Sequence, residues 1–214
     1  APRMLDKRLP AAWLEECYEA RSPIPAKELP SDAPAIQHMS IYVLPEPGVH
    51  YVAGVDCAEG LKGSDDSVTQ VINKDTGEQV AKIVGKLTPE QHAYDTYALC
   101  KWYNGAKVLP ERNNHGHSFI NTWRSLGSGA PLRGLDKRAG WQTTALSKNR
   151  LYIDGAELFK SGGAILHDFR TYSQLMMIEK DSLSAPDGLM DDEAMAYILA
   201  LQAAKRYITS ISAA

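Results

Sequence analysis

The pattern of apolar and polar positions predicts three strands in series after residue 50. The apolar run 51–55 has the length of a buried strand and ends at Asp56, behind which glycines and polar residues indicate a loop. Segments 67–73 and 78–84 follow, joined by a Lys-Asp-Thr-Gly sequence that is typical of a turn. We therefore expect three antiparallel strands at the start of a sheet.

A helix with a clear beginning follows these strands. Thr88-Pro89-Glu90-Gln91 supplies an N-cap, a proline at the first helical position and a capping-box glutamine, and predicts a helix to about residue 103. Segment 106–111 is a short predicted strand that ends in Glu111, and another helix is expected to about residue 126. We expect the helix to form a right-handed crossover that places the fourth strand beside the first and parallel to it. The carboxyl ends of the two strands then lie together, which brings Glu111 next to Asp56.

The second half of the chain mixes loop, helix and strand signals. The predicted elements are a loop at 127–140, a helix that Ser147 caps and that ends near residue 160, and short strands at 164–166 and 171–178. The most regular helical pattern begins at Asp191 and Asp192 and continues to about residue 207.

The first 45 residues have a different composition. A short helix is predicted at 10–20, and the prolines that follow it exclude regular structure over most of the next stretch. We predict that residues 1–45 are a linker or N-terminal extension with a short helix, and that residues 46–214 form the folded domain.

Composition narrows the class of protein. The 214 residues are 44% hydrophobic and 23% charged, which is typical of a globular domain, and no apolar run is long enough to span a membrane. The chain does not open on a secretory signal, and its three cysteines lack zinc-ligand spacing. We expect reduced thiols in a cytosolic protein with no zinc site.

Basic residues are concentrated in one segment. The net charge of the chain is −3, but residues 112–150 contain seven Lys and Arg against Asp136 alone, a net charge of +6 that leaves −9 elsewhere. Such a segment indicates a local surface for a polyanion, with an ordinary solvated surface as the alternative. The residues predicted to contact phosphate groups are Arg133, Lys137, Arg138, Lys148 and Arg150.

Carboxylates stand at the ends of three predicted elements. Asp56 and Glu111 end neighbouring strands, and Asp191 and Asp192 begin a helix. Carboxylates that lie together repel unless a divalent metal neutralises them, and oxygen-only ligands favour Mg²⁺ or Mn²⁺ over zinc. Two such ions can promote the hydrolysis of a phosphodiester, because they activate a water molecule and stabilise the leaving oxygen. Alternatively, Asp56 is a turn residue and the helical pair complements the helix dipole.

Four motifs, in this order, resemble a known family. They are strand-Asp56 with Gly60, Gly63, Asp65, Ser67 and Val68; Pro110-Glu111-Arg112-Asn113-Asn114-His115-Gly116; Gly140-Trp141 with Thr143-Thr144 and Ser147-Lys148; and Met190-Asp191-Asp192-Glu193 before an apolar helix. Together they resemble the nuclease domain of phage large terminase subunits from about residue 51 to 205. The resemblance implies an α/β, ribonuclease H-like fold, with a mixed central sheet of three antiparallel strands and then parallel strands, flanked by helices.

The resemblance also implies roles for individual residues. Asp56 would be the central metal-bridging ligand, Glu111 the second, and Asp191 and Asp192 the third, while Asp65 matches an acidic loop position of the family. The segment before the aspartate pair often contains a histidine in this family, and here it contains Met190. Asn113 and Asn114 resemble loop asparagines that orient Glu111 or its loop.

The function so implied is that of a metal-dependent endonuclease domain. It would cut concatemeric double-stranded DNA with little sequence preference, using two divalent ions, Mg²⁺ or Mn²⁺, while a viral genome is packaged in the host cytoplasm. The implied partners are DNA, a terminase ATPase domain that this chain lacks, the portal protein and the small terminase subunit, with no membrane.

Two other functions remain open at this point. A junction resolvase or an exonuclease of the same fold would share the carboxylates but prefer a different DNA shape. A non-catalytic DNA-binding or docking module would use the same acids as helix caps and turn residues, and would not cut DNA.

Overall fold

A mixed five-stranded sheet forms the centre of the protein. The computed structural model describes residues 6–212, and it describes side chains as far as residue 207. The strand order of the sheet is β1-β4-β3-β2-β5. The strands are β1 Met39–Ile41, β2 Tyr51–Asp56, β3 Ser67–Asn73, β4 Gln79–Gly85 and β5 Lys107–Pro110. The helices are α1 Ala11–Cys17, α2 Pro89–Trp102, α3 Asn114–Ser125, α4 Ala145–Ser161, α5 Phe169–Met177 and α6 Asp192–Ser212, and a 3₁₀ turn spans Ala26–Glu28.

The pairing of the strands confirms the predicted α/β fold. Strands β2, β3 and β4 are antiparallel in series, and β5 pairs with β2 in parallel, with Val55 opposite Pro110. The backbone N–H of Glu111 donates to the carbonyl of Val55 at 2.8 Å. Asp56 and Glu111 therefore leave the sheet side by side.

Helices cover both faces of the sheet. On β2, Val52 packs in the core formed with α1, α4, α5 and α6, whereas Ala53 and Val55 pack in the core formed with α2 and α3. This alternation is the ordinary two-residue period of a strand that is buried on both sides. Within the described residues, none of these helices has the length and apolarity that crossing a bilayer requires.

Helix α6 lies unusually close to β2. A Cβ atom on Gly54 would stand 2.1 Å from the carbonyl oxygen of Ala196 and 2.2 Å from the nitrogen of Ala200. Only glycine allows two backbones to approach so closely. The alanines on this side of the helix are fully buried, so small side chains on both elements permit the contact.

Two predictions for the second half of the chain are wrong. Segment 171–178 is not a strand, because α5 runs through it with Thr171, Gln174 and Leu175 buried at helical spacing. Its N-cap is Asp168, whose carboxylate accepts a hydrogen bond from the backbone N–H of Thr171. The helix α4 is likewise capped by Thr144, three residues before the predicted Ser147.

Segment 164–166 makes only isolated bridges, in which Ile165 pairs with Glu78 and Leu166 with Tyr18. Three residues are too few for the apolar pattern to separate a strand from an extended connection, which is why the sequence predicts a strand here.

From residue 6 onward, the segment predicted to be a linker or N-terminal extension packs against the sheet and its helices. Leu14 and Cys17 of α1 are buried in the core next to α4, α5 and α6. Strand β1, which the sequence analysis missed, pairs antiparallel with β4 and places Ile41 opposite Ala81. The prolines around β1 hide it from pattern analysis, although an edge strand needs only one bonded side.

Replacement of Gly54 by alanine should strongly destabilise the protein. The added methyl group meets the backbone of α6, which cannot move aside as a side chain can, so we expect the free energy of unfolding to fall by about 3 kcal/mol or more. Chemical denaturation measures this change.

Gly155→Ala is the matched control. There the methyl group meets the end of the Ile198 side chain, which can rotate, and alanine favours the helix. We expect a change below about 1 kcal/mol. Equal losses in the two variants would show that the close approach at Gly54 is not required.

Candidate metal centre

Four carboxylates from three elements line one cavity of about 480 Å³. Asp56 is the last residue of β2, Glu111 follows β5, and Asp191 and Asp192 stand at the beginning of α6. The parallel pairing of β2 with β5 places the first two together, and the packing of α6 on β2 adds the other two. The structure thus brings together the four carboxylates that end or begin these elements, and Asp65, the fifth acidic candidate, lines the same cavity.

Neighbouring side chains hold Glu111 in place. The hydroxyl of Thr143 donates to Glu111 Oε1 at 2.6 Å, and the amide of Asn113 donates to Oε2 at 3.3 Å. The Asn113 carbonyl oxygen also accepts from the backbone N–H of Gly116 and caps α3. Asn113 therefore couples the carboxylate to the helix, the orienting role implied for this loop.

Backbone groups hold the aspartate pair. The N–H of Ala185 donates to Asp191 Oδ2 at 2.9 Å, and the N–H of Asp66 donates to Asp192 Oδ2 at 3.0 Å. The side chain of Asp192 is thereby tied to the loop between β2 and β3, residues 57–66.

The cavity is strongly unfavourable for negative charge. Burial raises the pKa of Asp56 well above its usual value, and the charges of Glu111 and Asp192 raise it further. Burial, together with Asp65, Asp191 and Asp66, raises the pKa of Asp192 to about 6, although the Asp66 amide opposes the shift. A divalent cation would remove this repulsion.

Positive charge in the cavity lining is scarce. Asp65 and Asp66 also line the cavity, and Lys148 is the only Lys or Arg among the described residues that do so. Its ammonium donates to the Ser184 hydroxyl at 2.8 Å. Asp65 is exposed, whereas Asp66 is paired with Lys86 outside the cavity, at 2.9 Å. The sequence analysis gave no role to Asp66, because its cation partner is remote in sequence.

The chemistry of the donors fits a hard divalent cation. Asp56, Glu111, Asp191 and Asp192 offer oxygen atoms only, which suits Mg²⁺ or Mn²⁺. Cys57 is nearby, but burial, and then the charges of Asp56 and Glu111, raise the pKa of its thiol well above the usual value, and a thiol must ionise to bind metal. Among the described residues, no three His, Cys, Asp or Glu side chains already form a closed metal site. Metal binding would therefore require the carboxylate oxygens to move closer together.

The five predicted phosphate-contacting residues are separated in the structure. Arg133, Lys137 and Arg138 line a second depression of about 400 Å³, whereas Lys148 lines the acidic cavity. Arg150 is exposed on α4 and pairs with Asp154 at 3.8 Å.

We call the second depression the basic groove. It is lined by Arg112, His117, Asn121, Arg124, Arg133, Lys137 and Arg138 in addition to small and apolar residues. Arg112 is buried and pairs with Asp136, the one acid of segment 112–150, so the charge of that acid is already neutralised. The residues of α3 in this set were not predicted, because their convergence with segment 127–140 is tertiary.

The sequence matches no protein-family model and no curated protein. Solved structures do match. The large terminase nuclease from the thermophilic phage G20c with bound magnesium has a TM-score of 0.71 at 18% identity, over 94% of this chain and 98% of that one. This chain has the large terminase nuclease fold. The fold that the four motifs imply is thereby confirmed.

Other crystal structures with this terminase nuclease fold support the comparison. The G20c nuclease has also been solved with bound cobalt and with bound zinc, at TM-scores of 0.71 and 0.65. The nuclease domain of the Thermus phage P74-26 large terminase has a TM-score of 0.65 at 18% identity, over 89% of this chain and 92% of that one. At 18% sequence identity, these comparisons establish the fold and nothing further.

Asp56→Asn should leave the protein as stable as the wild type, or more stable, when metal is absent. The substitution removes a charge that the cavity disfavours, so at pH 8 in chelator we expect the melting temperature to rise by about 2–4 °C per kcal/mol of relieved repulsion. Near pH 4, about where an unperturbed Asp titrates, folded Asp56 already carries its proton and the difference should disappear.

Thermal unfolding with and without Mg²⁺ or Mn²⁺ tests this prediction. Metal should raise the melting temperature of the wild type more than that of Asp56→Asn. The exposed Asp187→Asn variant is the control and should behave like the wild type. A large loss of stability in Asp56→Asn would contradict a repulsive carboxylate site.

Proposed function

We propose that this chain is a metal-dependent endodeoxyribonuclease that cuts double-stranded DNA during the packaging of a phage genome. The observation that carries the proposal is the meeting of Asp56, Glu111, Asp191 and Asp192 around a cavity with few cations. Such a cluster destabilises the fold unless it serves to bind metal. The fold shared with the terminase nucleases of phages G20c and P74-26 supports the same function.

The four carboxylates would hold two divalent ions, Mg²⁺ or Mn²⁺. Such ions supply Lewis-acid activation of water and stabilise the charge of the leaving oxygen in phosphodiester hydrolysis. Asp56 interacts electrostatically with Glu111, Asp191 and Asp192 and would therefore be the shared ligand, while Thr143 and Asn113 keep Glu111 oriented. Lys148 at the cavity can pair with a DNA phosphate that enters it.

The basic groove would hold the DNA backbone next to the cavity. The two depressions are lined by neighbouring residues of one segment, because Glu111 lines the cavity and Arg112 lines the groove. A phosphate backbone held in the groove would therefore lie near the carboxylates. Contacts with phosphate groups carry no sequence information, so an enzyme that binds DNA in this way would cut it with little sequence preference.

The rest of the proposal concerns assembly. An ATPase domain outside this chain would translocate the DNA during packaging. The portal protein and the small terminase subunit would be further partners in the host cytoplasm. Mg²⁺- and cobalt-bound forms of the G20c nuclease show that a protein of this fold binds divalent metal.

One observation favours a non-catalytic module. The carboxylates of Asp191 and Asp192 each accept a backbone hydrogen bond, as helix-capping and turn residues do. These bonds do not account for Asp56, because its charged form is disfavoured by burial and by the charges of Glu111, Asp192 and Asp191.

Plasmid cleavage tests the proposed function. With Mg²⁺ or Mn²⁺ the wild type should linearise supercoiled plasmid, and Asp56→Ala should lose at least about 100-fold in rate, as expected when a metal site is broken. Chelator should abolish cutting, and Asp187→Ala should retain it. Equal cutting by wild type and Asp56→Ala would refute the site.

The choice of DNA separates the related enzymes. A packaging endonuclease should cut plasmid and linear duplex internally, whereas a junction resolvase should prefer four-way junctions and an exonuclease should release nucleotides from ends. A marked preference for junctions or ends would overturn the packaging assignment while keeping the metal site.

Neutralising the basic groove should weaken DNA binding and reduce its salt dependence. For Arg133→Ala, Lys137→Ala and Arg138→Ala combined, the slope of log affinity against log salt should fall by about 0.9 per lost phosphate contact. Fluorescence anisotropy in chelator measures binding without cutting. Arg150→Ala is the comparison, and its effect should be smaller because Arg150 is already paired with Asp154. An unchanged slope in the triple variant would remove the groove from the DNA path.

A further inference from the structure

Paired charges lie beneath the first turn of α6, next to the cavity. Lys82 of β4 is 8% exposed, and its ammonium contacts Glu193 Oε1 at 2.5 Å and Asp168 Oδ2 at 2.7 Å. Glu193 is fully buried. A buried ammonium is strongly destabilising unless it is paired, so these contacts bind the beginning of α6 to the sheet.

Arg170 of α5 connects this buried pair to the loop 57–66. Its Nε lies 2.8 Å from Glu193 Oε2, and its Nη2 lies 3.2 Å from Asp66 Oδ2. The Asp66 backbone N–H in turn donates to Asp192 Oδ2 at 3.0 Å. One guanidinium therefore links the loop to the helix that carries two of the four cavity acids.

The acids of this group differ electrostatically from those of the cavity. Three cations, Lys82, Lys86 and Arg170, pair with three carboxylates, Asp66, Asp168 and Glu193. Their charges balance without a metal ion. The carboxylate of Glu193 is thus paired with Lys82 and Arg170 and does not belong to the cavity acids, although Glu193 directly follows Asp191 and Asp192 in the sequence.

Helix α5 is itself attached to α6 and to β4 by further side-chain contacts. The Gln174 side-chain oxygen accepts from the backbone N–H groups of Glu193 at 2.8 Å and Ala194 at 3.1 Å, and so caps α6 from outside. Asp168 caps α5 and also binds Lys82. Strand β4, α5 and α6 thus form one unit, to which Arg170 attaches the loop.

We propose that Arg170 is a positioning residue that couples the loop 57–66 to the first turn of α6 and keeps Asp65 and Asp192 at the metal site. This inference rests on the proposed function of the cavity. Arginine suits the role because its planar fork reaches two carboxylates at once, which the single ammonium of lysine does not do as well. Arg170 is half exposed, so it can be replaced without opening the core.

Arg170→Ala should loosen the loop and weaken metal binding without changing DNA affinity. We expect faster amide hydrogen exchange in residues 57–66, with the core strands unchanged. The Mg²⁺ or Mn²⁺ concentration for half-maximal thermal stabilisation should rise about tenfold, the lower end of the effect of residues that orient ligands. Arg170→Lys should be intermediate, and the exposed Arg21→Ala is the control and should match the wild type.

A direct DNA contact is the competing explanation for Arg170. In that case Arg170→Ala would lower DNA affinity in chelator and leave loop exchange and metal stabilisation unchanged, which would overturn the proposal. Should Arg170→Ala not fold, Arg170→Gln keeps most of the side-chain length without the charge and should give the same shift in exchange and metal dependence.

Failure of the proposed function is distinguishable from failure of this inference. If the wild type binds metal but does not cut DNA, the exchange and metal-stabilisation measurements still decide whether Arg170 couples the loop to α6. If the wild type cuts DNA but Arg170→Ala shows wild-type exchange and metal dependence, only the coupling is refuted.

Discussion

The close packing of α6 on β2 at Gly54 determines where the acidic residues meet. With no side chain at Gly54, the two backbones come within the distance that a Cβ would occupy. Helix α6 therefore begins at the edge of the sheet where β2 and β5 end, and Asp191 and Asp192 reach the cavity that Asp56 and Glu111 line. A longer side chain at this position would lift the helix and open the cavity.

Charge balance divides the acids near this edge into two groups. Asp66, Asp168 and Glu193 are matched by Lys82, Lys86 and Arg170, so their charges balance within the protein, although burial still raises the pKa of Glu193. Among the described residues, the cavity acids lack such partners, and burial together with their mutual repulsion raises the pKa of Asp56 and Asp192. The unpaired group is the one that a divalent cation would stabilise, and the paired group holds it in position.

An acidic cavity and a basic groove side by side suit a substrate that is itself an anion. The groove would attract the phosphate backbone, and metal in the cavity would convert a repulsive surface into an attractive one. Under the proposed function, DNA would therefore engage the cavity productively only when metal is bound.

The sequence by itself determined the series β2, β3, β4, α2 and β5, because strand alternation, a capping motif and a right-handed crossover are local or topological signals. That order alone places Asp56 beside Glu111. Only the tertiary structure decided that 171–178 is helical, that β1 joins the sheet and that Arg150 lies apart from the basic groove. It also decided which acids are paired, because Lys82 and Glu193 are 111 residues apart and only packing brings them together.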